Sequence, residues 1–265
     1  MAKIDAIDNI NAPLDQPVVR KIGIADLKQS LLEGLDDFKA MPTHALFIVL
    51  IYPVIGLFLA RYSFGSKVLP LLFPLMAGFG LLGPFAALGL YELSRQRERG
   101  EVFSWTTASN VLKGPSLGAI VALGVWLLAI FLVWMGTAQA IYKAAFGNKH
   151  VPESVSMFLQ EIFLTPQGWT VIIVGNLVGI VFSAVVLAIS VVSFPMLIDR
   201  PVSLGTAIQT SIRAVMANPG PMVVWALIVA VGLFIGFVPV FFGLAVTLPI
   251  LGHSTWHLYR KLVAP

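Results

Sequence analysis

The chain of 265 residues is 58% hydrophobic, only 11% charged, and has a formal net charge of +4. A water-soluble domain carries roughly a quarter charged residues, so a soluble globular fold is excluded and lipid must solvate most of the surface. The chain has no cysteine, which excludes disulfides, thiolate metal sites, iron–sulfur clusters and cysteine nucleophiles.

Residues 1–41 form a cytoplasmic N-terminal segment in our interpretation, with no apolar stretch long enough for a signal peptide. Between Ile24 and Phe38 the apolar residues recur every three or four positions, and charged residues, Asp37 among them, largely fill the gaps. This spacing predicts an amphipathic helix that precedes the membrane. Pro42 marks a break, and residues 42–262 are assigned to the membrane domain.

The membrane domain is predicted to be an all-α, polytopic transmembrane bundle. A helix needs about 20 mostly apolar residues to cross a bilayer. Six segments meet this requirement, near residues 44–61, 67–93, 115–141, 168–197, 220–237 and 239–258. Only Gly236 to Pro239 separate the last two, so a single long kinked or re-entrant segment is the alternative there.

The distribution of lysine and arginine predicts the orientation, because basic residues are retained in the cytoplasm. With a cytoplasmic N-terminus, 13 of the 17 basic residues lie on the cytoplasmic side, and Arg61, Lys67, Lys143 and Lys149 lie outside. An odd number of spans would move the C-terminal Arg260 to the outside. Both termini are therefore expected in the cytoplasm.

Prolines and amphipathic stretches indicate further organisation. The even-numbered spans each carry a proline in their cytoplasmic third, at Pro84, Pro195 and Pro249. Three repeated helical hairpins would explain this pattern, although prolines are common in membrane helices in any case. Residues 102–113, 153–164 and 204–216 are predicted to be interfacial amphipathic helices.

Small residues recur at four-residue spacing in several spans, which lets helix backbones approach closely. We expect such contacts inside the bundle, or with a second copy or another membrane subunit. Asn176 is the most polar residue of the predicted membrane interior and is typical of an interhelical hydrogen-bond partner. The helix-packing candidates are Gly175, Gly179 and Ser183, then Gly114 and Gly118, and then Gly232 and Gly236.

Six polar residues near the predicted cytoplasmic ends are candidates for a functional surface: Glu92, Arg95, Asp199, Arg200, His253 and His257. The segment 92–101 mixes arginines with glutamates and is interpreted as a solvated elbow with local ion pairs, or as a surface for anionic headgroups or a partner. No charged residue lies in the middle of a span, which disfavours proton-coupled transport.

His253 and His257 are four residues apart and so project from one helical face. This spacing can chelate a metal, but the pair lacks the intervening glutamate of HExxH and an obvious third ligand. The alternative is that both histidines anchor a helix end at headgroup depth. They are therefore weak metal candidates.

Four segments resemble the domain-of-unknown-function 2189 family of bacterial integral membrane proteins. They are GLDDFKAMPTHALF, GPFAALGLYELSRQRERGE, SFPMLIDRPVSLGTAIQTSIRAVMANP and LPILGHSTWHLYRKL, spread between Gly34 and Leu262. The resemblance implies a multi-pass protein of the bacterial inner membrane and supplies no established activity. Members are sometimes labelled cytochrome c oxidase subunit I, but the four histidines, His44, His150, His253 and His257, are too few and wrongly placed for haem and copper ligation.

No nucleophile, base and orienting group recur in a recognisable arrangement, so an enzyme, a resident cofactor and a nucleic-acid partner are not expected. The lipid bilayer is the expected surrounding. The leading hypothesis is an accessory or interaction subunit that packs against other membrane protein subunits or itself. Two alternatives remain: a small-solute or lipid pathway through the bundle, and a haem or metal redox subunit.

Overall fold

The computed structural model describes residues 17–41, 74, 83–101, 114–148, 150, 152, 154–238 and 243–264. Over these residues the chain is helical apart from turns and one isolated antiparallel pairing of Val19 with Val263. The predicted all-α class is confirmed. The helices are α1 (Ile24–Ala40), α2 (Gly83–Ala86), α3 (Leu88–Glu98), α4 (Leu117–Phe146), α5 (Val155–Leu164), α6 (Pro166–Ser190), α7 (Ser193–Asp199), α8 (Leu204–Ala217), α9 (Pro219–Phe237) and α10 (Leu244–Leu262).

Three helical segments in the described residues are long and apolar enough to cross a membrane: Leu117–Phe146, Pro166–Asp199 and Pro219–Phe237. They coincide with the predicted third, fourth and fifth spans. The second of them consists of α6 and α7, joined by a turn at residues 191–192. The predicted first span and residues 67–82 of the second, apart from Pro74, lie outside the described residues.

Local sequence explains where these helices begin and end. The Thr165 hydroxyl accepts a hydrogen bond from the Gly168 amide and caps α6, whose first position is Pro166. Gly147 follows α4 with φ of 93°, a left-handed conformation that favours glycine. The apolar runs therefore end at residues suited to helix boundaries.

Helices α9 and α10 form an antiparallel hairpin. Gly236 of α9 faces Leu244 and Thr247 of α10, while Gly232, one turn earlier, faces Leu251, about one turn later. The contacts thus run in opposite directions along the two helices. Two separate helices are thus confirmed, and a single long kinked helix is wrong. The alternative of a re-entrant segment is not tested, because α10 is not among the described helices that are long and apolar enough to cross a membrane.

The predicted amphipathic helix is α1, and it packs lengthwise against α10. Its buried face differs from the apolar stripe read from the sequence, because it consists of Leu27, Ser30, Gly34 and Asp37, while Ile24 is exposed. Gly34 permits the contact: a Cβ at this position would lie 2.5 Å from the backbone nitrogen of Ser254. The two helix backbones therefore approach closely at Gly34.

Hydrogen bonds tie the segment before α1 to the C-terminus. The Arg20 amide donates to the Leu262 carbonyl at 2.8 Å, and the Ala264 amide donates to the Val18 carbonyl at 2.9 Å. Asn218, between α8 and α9, donates to the Arg20 carbonyl at 3.0 Å. We call this end of the bundle, formed by α1, α3, α7 and the C-terminal half of α10, the charged end.

The chain returns repeatedly to the charged end. Helix α4 begins there, α6 and α7 return there, α9 leaves from Asn218, and α10 comes back to Leu262. Helices α1 and α3 also end there. The total of six and the three-hairpin repeat stay predictions, because the first hairpin lies mostly outside the described residues.

Two of the three predicted interfacial helices can be located. Residues 204–216 form α8, which packs Ala207, Thr210, Ser211 and Ala214 against its neighbours, chiefly α6 and α7. Residues 155–164 form α5 at the opposite end of the bundle, and its Leu164 is 78% exposed. The third stretch, 102–113, lies outside the described residues.

Candidate functional site

Asp37 is the centre of a polar cluster buried between α1, α3 and α10. Its side chain is paired with Arg97. Its Oδ2 atom accepts a hydrogen bond from Ser94 Oγ at 2.5 Å and lies 2.8 Å from His257 Nε2. We call these residues, with His253, the Asp37 cluster. It joins the N-terminal helix to the last helix. Asp37, Ser94 and His253 are buried, whereas the Arg97 side chain is 38% exposed.

Ser94 determines how His253 is protonated in this arrangement. The two side chains are 2.7 Å apart, between Ser94 Oγ and His253 Nδ1. A serine hydroxyl has one proton to donate, and Ser94 donates it to Asp37. His253 therefore donates from Nδ1, and its buried Nε2 atom has no hydrogen-bond partner. In a Ser-His-Asp hydrolase the histidine accepts the serine proton, so the Asp37 cluster is not arranged as such a triad.

The electrostatics of Asp37 favour its charged form. Burial raises the pKa of the Asp37 carboxyl. The hydrogen bonds from His257 and Ser94, the charge of His257 and the hydrogen bond from Arg97 lower this pKa, and together they outweigh the effect of burial. The net pKa lies below the ordinary value of 3.8. Asp37 is thus an ionised carboxylate at neutral pH, held by donors from two other helices.

A second set of ion pairs surrounds Asp199 at the end of α7. Its Oδ2 atom accepts hydrogen bonds from Tyr259 at 2.7 Å, Arg260 at 3.2 Å and Arg200 at 3.3 Å. Arg260 also donates to Glu98 at 3.0 Å, and the indole of Trp256 donates to the same carboxylate at 3.0 Å. Helices α3, α7 and α10 are therefore linked by charged hydrogen bonds.

Glu92 and Arg95 form a third pair on α3, with Arg95 Nη2 2.8 Å from Glu92 Oε2. Arg95 also donates to the Ile198 carbonyl at 2.9 Å. Both residues line a cleft of about 230 Å³ together with Gly114, Ser116, Asp199 and Arg200. We call it the α4 cleft, because it opens at the start of α4.

The six polar candidates are thus brought together at the charged end, in two adjacent sites. Glu92, Arg95, Asp199 and Arg200 line the α4 cleft. His253 and His257 lie in the Asp37 cluster. The interpretation of residues 92–101 as a solvated elbow is wrong for their first half, because Glu92, Ser94 and Gln96 are buried against neighbouring helices. The second half, from Arg97 to Glu101, is more exposed.

Asp37 and Ser94 were missed from the sequence as functional candidates. Asp37 was counted among the polar residues that fill the gaps of the apolar stripe. A signal was present: Leu27, Ser30, Gly34, Asp37 and Met41 are spaced three and four residues apart and are all buried. That spacing is as regular as the apolar stripe, but only the partners from α3 and α10 show that a carboxylate can be buried there.

The small residues divide into those in contact and those facing outward. Among the described residues, a Cβ at Gly179 would lie 3.2 Å from Trp134, and one at Gly232 would lie 3.1 Å from Leu251. Gly236 faces α10, and Gly114 lines the α4 cleft. The space around Gly118 and Gly175 is open within the described structure. Ser183 and Asn176 are exposed, and Asn176 donates to the Ile172 carbonyl of its own helix at 2.7 Å.

The described residues contain no group of three His, Asp or Glu side chains placed to hold a metal ion. His253 and His257 are instead engaged with Ser94 and Asp37. The Asp37 cluster therefore supports a structural role for both histidines, at a site that joins α1 to α10.

Comparison with known proteins gives one result that bears on identity. A family model described as a predicted integral membrane protein matches residues 71–199. Neither the curated proteins nor the solved structures gave a significant match. The matched segment contains α2 to α7 and the residues that line the α4 cleft up to Asp199. Over residues 71–199 this integral membrane protein is therefore similar to the domain-of-unknown-function 2189 family.

Proposed function

We propose that the chain is a non-catalytic subunit that associates, through its spans, with other membrane protein subunits or with a second copy of itself. The observation that carries this proposal is the outer face of α6. Asn176 is exposed within this long apolar helix, and Ile173 and Ile180 on the same face are exposed and apolar. The Asn176 amide donates to the Ile172 carbonyl of its own helix. An amide has further donor and acceptor capacity, which hydrocarbon cannot satisfy.

The neighbours of Asn176 support a protein partner at this face. Gly175 has open space around it and Ser183 is exposed. Residues at four-residue spacing share one side of a helix, and small residues there let a second backbone approach closely. A partner helix on this face would be able to reach the Asn176 amide.

The charged end supports a structural rather than a catalytic role. Asp37, Asp199 and Glu92 are each paired with arginine or histidine side chains of the same chain. Buried charges that are paired and hydrogen-bonded can fix one arrangement of helices. We further propose that this end faces the cytoplasm of a bacterial cell and that the spans lie in the inner membrane, because most basic residues belong to this end.

The two alternative functions are not favoured by a specific observation. A small-solute or lipid pathway through the bundle stays a prediction. A haem or metal redox role would require ligands in addition to His253 and His257. One ring nitrogen of His253 already contacts Ser94, and one of His257 contacts Asp37.

The proposal is tested by the size of the complex after mild detergent extraction from cells at native expression. The wild-type chain should migrate as a complex larger than the 28.6 kDa protomer in its detergent micelle. Replacement of Asn176 by valine should shift it towards the protomer. Thr137→Val is the matched control, because the Thr137 hydroxyl donates to the Val133 carbonyl of its own helix on α4. A wild-type chain that migrates as a protomer would contradict the proposal.

A further inference from the structure

Helix α6 carries five residues at the spacing of a coiled-coil core. Trp169, Asn176 and Ser183 follow one another at intervals of seven residues, and Ile173 and Ile180 lie between them. The successive steps from Trp169 to Ser183 are four, three, four and three residues, as between the core positions of a heptad repeat. Residues at this spacing share one side of a helix. We call these five residues the α6 seam.

The α6 seam is exposed over its full length in the described structure. Its aromatic and aliphatic members are more than half exposed, Trp169 by 51%, Ile173 by 54% and Ile180 by 64%, and its two polar members are exposed as well. Helix α6 packs inside the chain through another side, where Gly179 contacts Trp134 of α4. The seam can therefore receive a helix from outside the chain.

The residue types of the seam favour a parallel pair of helices. In parallel coiled coils, β-branched residues such as Ile173 and Ile180 at alternate core positions favour two strands, and a single polar Asn in the core sets the register. Asn176 lies between the two isoleucines and has this place in the seam. The same left-handed packing is common between helices in membranes. A parallel helix with a polar residue opposite Asn176 is thus the fitting occupant.

A second copy of the chain supplies that residue without any further requirement. The basic residues set the orientation of the chain in the membrane, so two copies have the same orientation and their identical residues lie at the same depth. A twofold axis along the membrane normal brings identical residues face to face. A partner of different sequence would need a polar group placed at this one depth.

The amide of Asn176 can pair with the same amide of another copy. Within the described residues, it is hydrogen-bonded only to the Ile172 carbonyl of its own helix. The side-chain amide has two N–H donors and a carbonyl acceptor, so one donor and the acceptor are left. Two such groups facing each other can donate and accept in turn. The pairing would satisfy polar capacity that hydrocarbon cannot satisfy.

We infer that the α6 seam joins two copies of this chain as a parallel, twofold-symmetric dimer in which the two Asn176 side chains are hydrogen-bonded to each other. The isoleucines of the seam pack against the same residues of the other copy. This inference rests on the proposed association through the spans and names a second copy as the partner.

Disulfide cross-linking of single cysteines tests the dimer, because the natural chain has no cysteine. Ile173→Cys and Ile180→Cys lie on the seam. Val174→Cys and Val181→Cys are the matched controls: these valines are 39% and 61% exposed, but each points about 100° away from its neighbour around the helix. Membranes with the full chain at native expression are oxidised, and the disulfide-linked dimer is quantified on a denaturing gel.

The seam cysteines should give at least about fivefold more dimer than the controls, because a disulfide requires Cα atoms within about 7 Å of each other. Equal cross-linking at all four positions would indicate random collision and would overturn the inference. If wild type migrates as a large complex but neither seam cysteine cross-links, the partner is a different subunit: the proposed association stands and the dimer is wrong. A protomer-sized wild type without cross-links would contradict both.

A second variant tests the role of the amide itself. In the Ile180→Cys chain, Asn176→Val should lower the dimer fraction about fivefold, because it removes the interhelical hydrogen bond. Thr170→Val is the control, since Thr170 is an exposed polar residue of α6 that lies off the seam and bonds the Pro166 carbonyl of its own helix. It should leave the dimer fraction unchanged. Equal losses in the two variants would show that Asn176 does not pair the copies.

Discussion

At the scale of single residues, Asp37 shows how a carboxylate is kept charged inside a helical membrane protein. It is 3% exposed, yet Arg97, Ser94 and His257 all direct polar atoms towards it. A buried ion pair adds little net stability relative to an apolar core, but removal of one partner leaves the other unpaired and is costly. Asp37 is therefore a position where a small change should have a large effect.

We expect Asp37→Asn to lower the free energy of unfolding by about 3 kcal/mol at pH 7, because Arg97 and His257 lose their carboxylate. Asp36→Asn is the matched control: Asp36 is adjacent in sequence and exposed, and its replacement should change stability by less than about 0.5 kcal/mol. Thermal unfolding in a single detergent measures both. Equal effects at the two positions would show that the Asp37 cluster does not stabilise the fold.

The same variant predicts a pH dependence. The folded-state pKa of Asp37 lies below 3.8, so its contribution is fully present above the unfolded-state value and is lost as pH falls through the lower folded-state value. The difference between wild type and Asp37→Asn should therefore be constant from pH 7 to about pH 5 and shrink below 3.8. A difference that shrinks already at pH 6 would contradict the lowered pKa of the Asp37 carboxyl.

At the scale of elements, the sequence identified helices better than it identified their partners. The spacing of apolar residues predicted α1, and hydropathy predicted α4, α6 with α7, and α9. Which face of α1 is buried could not be read from its apolar residues, because the choice depends on Ser254 and His257 of α10, more than 200 positions away. The small residues of α6 also differ in their packing, which their spacing did not predict. Gly179 contacts Trp134, whereas the space around Gly175 is open in the described structure.

The contact of α1 with α10 gives a sharp test of the packing. Gly34→Ala should destabilise the protein by about 3 kcal/mol or prevent folding, because the new methyl group would meet the backbone of Ser254. Gly136→Ala is the control, since Gly136 is inside α4 with open space around it in the described structure. There alanine should be neutral or stabilising by up to about 1 kcal/mol. Similar behaviour of the two variants in thermal unfolding would argue against the close approach of α1 and α10.

At the scale of the whole molecule, the two ends of the described part of the chain lie together. Val19 pairs with Val263, and Asn218 binds the backbone of the N-terminal segment. The basic residues predicted both termini on one side of the membrane, and the described contacts place residues 17–41 and the C-terminus at one end of the bundle. The sequence could not show how that end is held, because the ion pairs join residues of α1, α3, α7 and α10 that are far apart along the chain.

Labelling of single cysteines tests this arrangement most directly, because the natural chain contains no cysteine. Cysteine is introduced at Lys39 and Met216, which are exposed near the charged end, and at Leu164, which is exposed at the opposite end. A membrane-impermeant maleimide is then applied to intact cells and to opened membranes. We predict that Leu164→Cys is labelled in intact cells, whereas Lys39→Cys and Met216→Cys are labelled only after the membranes are opened. Labelling of Lys39→Cys and Met216→Cys from opposite sides would contradict the arrangement.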